Sequence, residues 1–148
     1  MTPSEVLILH IDDEPHILSA LRRSLARFGN GQDLKISIRS HTSAASALGT
    51  LLTETVDIVI SDYRMPDMDG VELLRRVREL QPFAGRILLS GTTDLSFLLG
   101  AVNQAAVARV LQKPWADTDL QEAVRQCILV RRLQLENAEL AEIGRAHV

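Results

Sequence analysis

Residues 56–62 are mostly apolar and end in a single acid, Asp62. The loop that follows, Tyr63-Arg64-Met65-Pro66-Asp67-Met68-Asp69-Gly70, is dense in turn formers. So short a continuous run fits a strand buried on both faces, as in a parallel sheet. Beyond the loop Asp69 stands where a helix N-cap would. Leu73, Leu74, Val77 and Leu80 then recur on one helical face and predict a helix ending near Pro82.

The rest of the chain repeats this alternation. Residues 6–11 form a second apolar run and lead into Asp12-Asp13-Glu14. Pro15 suits the first turn of a helix. Ile17, Leu21, Leu25 and Phe28 supply its face, and Gly29 is expected to close it. Residues 34–39 alternate strictly, which predicts a strand near a sheet edge. Ala44, Ala47, Leu48 and Leu51 mark the next helix. Residues 86–91 read as a fourth strand, residues 94–104 as a fourth helix, and residues 107–112 as a short fifth strand whose Arg109 again points to an edge. A long helix is predicted from about Asp117 almost to the end. Five strands alternating with five helices imply an α/β fold with right-handed crossovers. The continuous strands belong in the centre, so the expected architecture is a flavodoxin-like (βα)5 doubly wound parallel sheet in the order 2-1-3-4-5, with an extended C-terminal helix.

That topology gathers the chemistry. Asp12 and Asp13 follow the first strand, Asp62 ends the third, Ser90 the fourth, and Lys113 follows the fifth. In a parallel sheet these ends share one edge, where ligands of open α/β sheets bind. Crowded carboxylates raise one another's proton affinity unless a cation intervenes. A hard divalent ion such as Mg²⁺ answers that need with oxygen ligands. Lys113 adds a point charge suited to an oxyanion, and Ser90 a hydroxyl that can donate to a phosphoryl oxygen. Taken singly, each residue has an ordinary role as a cap, a turn residue or a surface charge. Together they are the parts of a phosphoryl-transfer site with Asp62 as nucleophile.

Composition narrows the picture by exclusion. The net charge of −3 does not invite a broad nucleic-acid surface. No apolar run approaches the roughly 20 residues of a membrane span. The first residues lack the basic region of a signal peptide. Cys127 is the only cysteine, in an apolar setting, which excludes an intramolecular disulfide and suits a small core or interface residue. A cytoplasmic location is expected. The basic residues are fourteen Arg and only two Lys, and one of those two is Lys113.

The stretches Ile11-Asp12-Asp13-Glu14-Pro15, Ser61-Asp62-Tyr63-Arg64-Met65-Pro66-Asp67-Met68-Asp69-Gly70, Leu88-Leu89-Ser90-Gly91 and Gln112-Lys113-Pro114-Trp115 resemble the receiver domain of two-component response regulators, the CheY-like family. The resemblance covers roughly residues 5 to 128. It implies that Asp62 accepts a phosphoryl group from a sensor histidine kinase or phosphotransfer protein, a role of phosphoacceptor and not of enzyme. It implies Mg²⁺ held by Asp13, Asp62 and the backbone carbonyl of Arg64, with Asp12 acting through water. It further implies that Ser90 and Lys113 bind the phosphoryl oxygens and that the Lys113–Pro114 bond is cis. One position departs from the commonest pattern. Val110 stands where many receivers carry the Tyr or Phe whose rotation reports phosphorylation. Arg64 and Thr92 fill the variable positions that tune phosphoryl lifetime.

Two other readings compete. A Mg²⁺-dependent phosphohydrolase of the haloacid-dehalogenase type also uses an aspartate nucleophile. It places that nucleophile after the first strand, however, with a second acid two residues on, where this chain has Arg64. A silent receiver-like binding module would carry the pocket without being phosphorylated.

The expected division is a receiver domain over residues 1–128 and a helical extension over 129–148. Output is expected through the fourth helix, fifth strand and fifth helix. Leu95, Phe97, Leu98, Leu99, Ala101 and Val102 make the fourth helix apolar nearly all round, which points to an exposed patch that meets a partner. Val130, Leu133, Asn137 and Leu140 are spaced by three, four and three residues, as in a coiled-coil seam. A weak homodimer through residues 128–143, aided by the fourth-helix patch, is therefore expected. The sequence contains no helix-turn-helix, HD metal pair or cyclase motif. The receiver either stands alone or is joined to an effector. Lys-Pro-Trp with a polar helix start resembles receivers joined to cyclic-di-GMP phosphodiesterases or AAA+ transcriptional activators.

Overall fold

The computed structural model describes residues 4–31, 34–91, 107 and 109–146. The predicted fourth helix with its apolar patch, Thr92, and most of the loop after Ser90 lie outside these residues. The elements are β1 (Ser4–Ile11), α1 (Pro15–Gly31), β2 (Leu34–His41), α2 (Ala44–Thr53), β3 (Ile58–Asp62), α3 (Gly70–Leu80), β4 (Gly85–Ser90), β5 (Arg109–Gln112) and α4 (Asp117–Ala146). The strands form one parallel sheet in the order β2-β1-β3-β4-β5, as expected from the apolar pattern. Every residue of β3 is buried, whereas edge strand β2 alternates in burial.

Alternation along the central strands builds two cores. Ile8, Ile58, Ile60, Ile87 and Leu89 face α1 and α4, while Leu9, Val59 and Leu88 face α2 and α3. Both sets are fully buried, and each such side chain contributes about 1.5–3 kcal/mol relative to exposure. Cys127 is a core residue: its thiol lies in the first cluster, against Gly85, and burial pushes its pKa up to about 11. Among the described residues no helix is long and apolar enough to cross a membrane.

Several boundaries differ from the reading of the sequence, each for a local reason. Gly29 does not close α1, which runs on to Gly31. It is buried instead, because a side chain there would press on the Leu34 carbonyl at 3.2 Å and on Ile36. Leu80 is 43 % exposed and lies on the rim of a cleft instead of in the core. Strand β5 begins at Arg109, where its pairing with Ile87 of β4 begins. Gln81 ends α3 and clasps the underside of the fold. Its side chain accepts from the Val56 amide and donates to the carbonyls of Leu51 and Glu54.

Helix α4 continues well past the body of the sheet. Arg131 ties it down, donating through Nε to Asp57 Oδ1 at 2.9 Å, while Asp57 Oδ2 accepts from the Leu7 amide. Beyond this anchor the helix is largely exposed, including Leu133 (51 %), Leu140 (64 %) and Ile143 (49 %).

Candidate phosphoacceptor and metal site

The candidate site residues stand at or just past strand ends, and three further backbone bonds fix those ends. The Asp12 amide donates to the His41 carbonyl, the Tyr63 amide to the Leu89 carbonyl, and the Lys113 amide to the Ser90 carbonyl. The parallel order of the sheet puts the ends of β1, β3, β4 and β5 on one edge, and these bonds extend the pairing just past them. Asp12, Asp62 and Ser90 are buried there, and Asp13 is exposed beside them.

Carboxylate oxygens of Asp12, Asp13 and Asp62 all lie within 4.8 Å of one another. Hard oxygen donors gathered this closely suit a hard divalent cation. The two acids from β1 differ in their freedom. Both Asp12 oxygens already have protein donors: the Glu14 amide on Oδ1 at 2.9 Å and Lys113 Nζ on Oδ2 at 2.7 Å. Asp13 is open to solvent. Asp13 could therefore offer its oxygens to a cation directly, whereas both Asp12 oxygens are already engaged.

Lys113 also reaches Asp62, with Nζ 3.0 Å from Oδ1. Burial raises the pKa of Asp62 above the ordinary carboxylate value, the Lys113 hydrogen bond opposes that, and the charge of Asp12 adds to the rise. Burial works against the Lys113 ammonium, but its hydrogen bonds to Asp12 and Asp62 outweigh it and the pKa is raised. The ammonium is therefore the counter-charge of the acidic cluster. The Lys113–Pro114 peptide bond is cis, as the resemblance implied. Ser90 Oγ donates to the Gly91 carbonyl at 3.2 Å. Arg64 is exposed two residues past Asp62, on the loop between β3 and α3. Val110 is half-buried against the second core.

Three residues near the site were not singled out for a role in the sequence. A side chain on Gly70 would collide with the Asp62 carbonyl and lie 2.8 Å from Leu88, so only glycine lets α3 start against the end of β3. The Gly70 amide donates to the Tyr63 carbonyl at 2.7 Å. Asp67, on the same loop, accepts from the first amides of α2. His10 is fully buried two residues before Asp12, and neither ring nitrogen has a partner among the described residues. Burial first, then the charges of Lys113 and Arg22, lower its pKa to about 3. A polar residue inside an apolar strand was the available signal for His10, and the glycine closing an acidic turn was the signal for Gly70.

The family model for the response regulator receiver domain matches residues 8–125. The hydrogenase transcriptional regulatory protein HoxA of Cupriavidus necator is 35 % identical over 134 residues, covering 90 % of this chain and 26 % of that protein. The C4-dicarboxylate transport transcriptional regulatory protein DctD of Pseudomonas aeruginosa is 33 % identical, covering 93 % of this chain and 28 % of its own length. The chain thus spans about a quarter of the curated relatives it matches. Among solved structures, the signal receiver domain of an HD domain-containing protein from Pseudomonas fluorescens superposes with a TM-score of 0.79. It is 34 % identical, and the match covers 92 % of this chain and 94 % of that one.

Proposed function

The chain belongs to the response regulator receiver domain family, and on that premise we propose that it is a phosphoacceptor switch in which Asp62 takes a phosphoryl group from the phosphohistidine of a sensor kinase or phosphotransfer protein. The observation that carries this reading is Lys113 Nζ bridging Asp12 and Asp62 beside the exposed Asp13. An Asp62 oxygen attacks phosphorus, the phosphorus–nitrogen bond breaks, and its electron pair returns to the imidazole. The product is an aspartyl phosphate. Asp13, Asp62 and the Arg64 carbonyl would hold Mg²⁺, with Asp12 acting through water, and the bound ion would neutralise charge on the phosphoryl oxygens. Lys113 exchanges its carboxylate contacts for a phosphoryl oxygen, and Ser90 donates to another. A phosphohydrolase is disfavoured by Arg64, which stands where a second acid would act.

We further propose that residues 1–128 are the receiver and residues 129–148 an extension that pairs two copies weakly, through the exposed helical face bearing Leu133 and Leu140, and links the switch to an effector. The two named relatives are transcriptional regulators, and the solved neighbour comes from an HD domain-containing protein. An effector of either kind fits a cytoplasmic signalling protein; the net charge of −3 does not call for nucleic-acid contact by the receiver itself, and among the described residues no helix is long and apolar enough to cross a membrane. The chemical test is to incubate the chain with Mg²⁺ and acetyl phosphate, trap the acyl phosphate with hydroxylamine, and map the modified peptide. Modification at Asp62 supports the reading. Modification at another acid, or none, refutes it.

A further inference from the structure

The two acidic loops of the site meet a common element, the junction between β2 and α2. From one side the Asp12 amide donates to the His41 carbonyl at 3.0 Å. From the other the Asp67 carboxylate accepts from the amides of Ala44 at 3.2 Å and Ala45 at 2.9 Å. The junction is firm in itself. The His41 ring nitrogen Nδ1 lies 2.7 Å from Ser46 Oγ, and the Ser43 hydroxyl accepts from the Ser46 amide at 3.2 Å. Ser43 therefore caps the third amide of α2, and Asp67 satisfies the first two, which its own helix leaves over. Asp67 is 22 and 23 residues away from these amides, so its bonds are tertiary ties and not a local turn.

We propose that Asp67 is a positioning residue for the divalent-cation site, holding the β3–α3 loop at a set distance from the β1–α1 loop through the start of α2. The inference rests on the reading of Asp12, Asp13 and Asp62 as that site. The β3–α3 loop is anchored at its beginning, where Tyr63 meets Leu89, and at its end, where Asp69 Oδ1 accepts from the Glu72 amide at 2.8 Å. Its middle carries Arg64, with Met65 and Met68 half-buried against the second core. Asp67 ties that middle sideways to α2. Release of the tie lets the two loops drift apart, and a cation that demands near-ideal octahedral geometry then loses affinity. Groups supporting metal ligands from behind change affinity by about 10- to 100-fold, and an exposed carboxylate acting through its loop belongs at the low end.

The test is a calorimetric Mg²⁺ titration of the full chain at two ionic strengths, comparing the unsubstituted protein with Asp67→Ala, Asp67→Asn and Asp13→Ala. Alanine and asparagine remove the same charge, but asparagine keeps an acceptor for one amide. Asp67→Ala is expected to bind about tenfold more weakly at both ionic strengths, with Asp67→Asn recovering part of the loss. Two results overturn the proposal. One is equal weakening of both variants that vanishes at high salt, which is remote charge alone. The other is a lower melting temperature with unchanged affinity, which is helix capping alone. If the unsubstituted chain binds no Mg²⁺, or Asp13→Ala binds as tightly, the site reading itself fails and the inference falls with it, in a pattern distinct from the other two.

Discussion

Lys113 and Asp12, separated by 101 residues in sequence, are joined by a 2.7 Å hydrogen bond in which the ammonium donates to Oδ2 of a fully buried carboxylate. Lys113 thus offsets the repulsion between Asp12 and Asp62. Lys113→Ala should lower stability by about 1–3 kcal/mol, the cost of leaving buried acceptors unpaired. The same variant should bind Mg²⁺ more tightly, because a competing cation is gone. Thermal melts with and without Mg²⁺ check both statements. The Mg²⁺-dependent rise in melting temperature should be larger in the variant, and an equal rise would contradict the counter-charge role.

Gly70→Ala should damage the site from behind. The new methyl group has no room between the Asp62 carbonyl and Leu88, and overpacking of this kind costs about 1–3 kcal/mol. Because the displaced atom belongs to Asp62, Mg²⁺ affinity should fall along with stability. Gly144→Ala, at a helical position with open space, is the control and should leave Mg²⁺ affinity unchanged without lowering stability. Chemical denaturation and a Mg²⁺ titration of the two variants make the comparison.

His10 makes stability depend on pH. Its folded pKa of about 3 lies below the ordinary 6.5. Above pH 6.5 the ring is neutral in both states and its contribution is complete. Between 6.5 and 3 the unfolded chain takes up a proton that the folded chain refuses, so stability falls as pH falls. The slope from this one group is at most about 1.4 kcal/mol per pH unit. His10→Leu should flatten the fall between pH 6.5 and 4.5 and, by removing two unpartnered buried nitrogens, should raise stability as well. Urea denaturation of both proteins across that range provides the check. Parallel pH profiles would show that another group is responsible.

The sheet was legible because its information is periodic. Continuous apolar runs marked β1, β3 and β4 as central, and alternation in residues 34–39 marked β2 as an edge. The grouping of the candidate side chains was legible because a parallel sheet sends every strand end to the same edge: Asp12, Asp13, Asp62 and Lys113 do meet there, and Ser90 ends the adjoining strand. What escaped reading depends on distances between segments remote in sequence. Gln81 clasps carbonyls 27 and 30 residues away, Arg131 reaches 74 residues back to Asp57, and Asp67 caps a helix it does not precede. Gly29 shows the converse error. Glycine reads as a helix end, but here it marks the close approach of α1 to β2.

The exposed face of α4 should pair two copies of the chain. Leu133 and Leu140 stand on it at 51 % and 64 % exposure, with Val130 and Asn137 alongside. Sedimentation at tens of micromolar should show a concentration-dependent dimer that Leu133→Glu with Leu140→Glu abolishes, while the melting temperature of the receiver stays the same. Arg131→Ala removes the anchor to Asp57 without touching this face, so it should loosen the helix from the body and preserve the dimer. Equal, purely monomeric behaviour of the unsubstituted chain and the double variant would rule out this pairing.

The central claim is that Asp62 is the phosphoacceptor, and intact-mass spectrometry tests it most directly. The chain is incubated with acetyl phosphate in the presence of Mg²⁺, in its absence with a chelator, and again as Asp62→Asn. The account predicts a single added phosphoryl mass on the unsubstituted chain with Mg²⁺, little without it, and none on Asp62→Asn, since an amide is no nucleophile. Phosphate retained by Asp62→Asn at the level of the unsubstituted chain would contradict it.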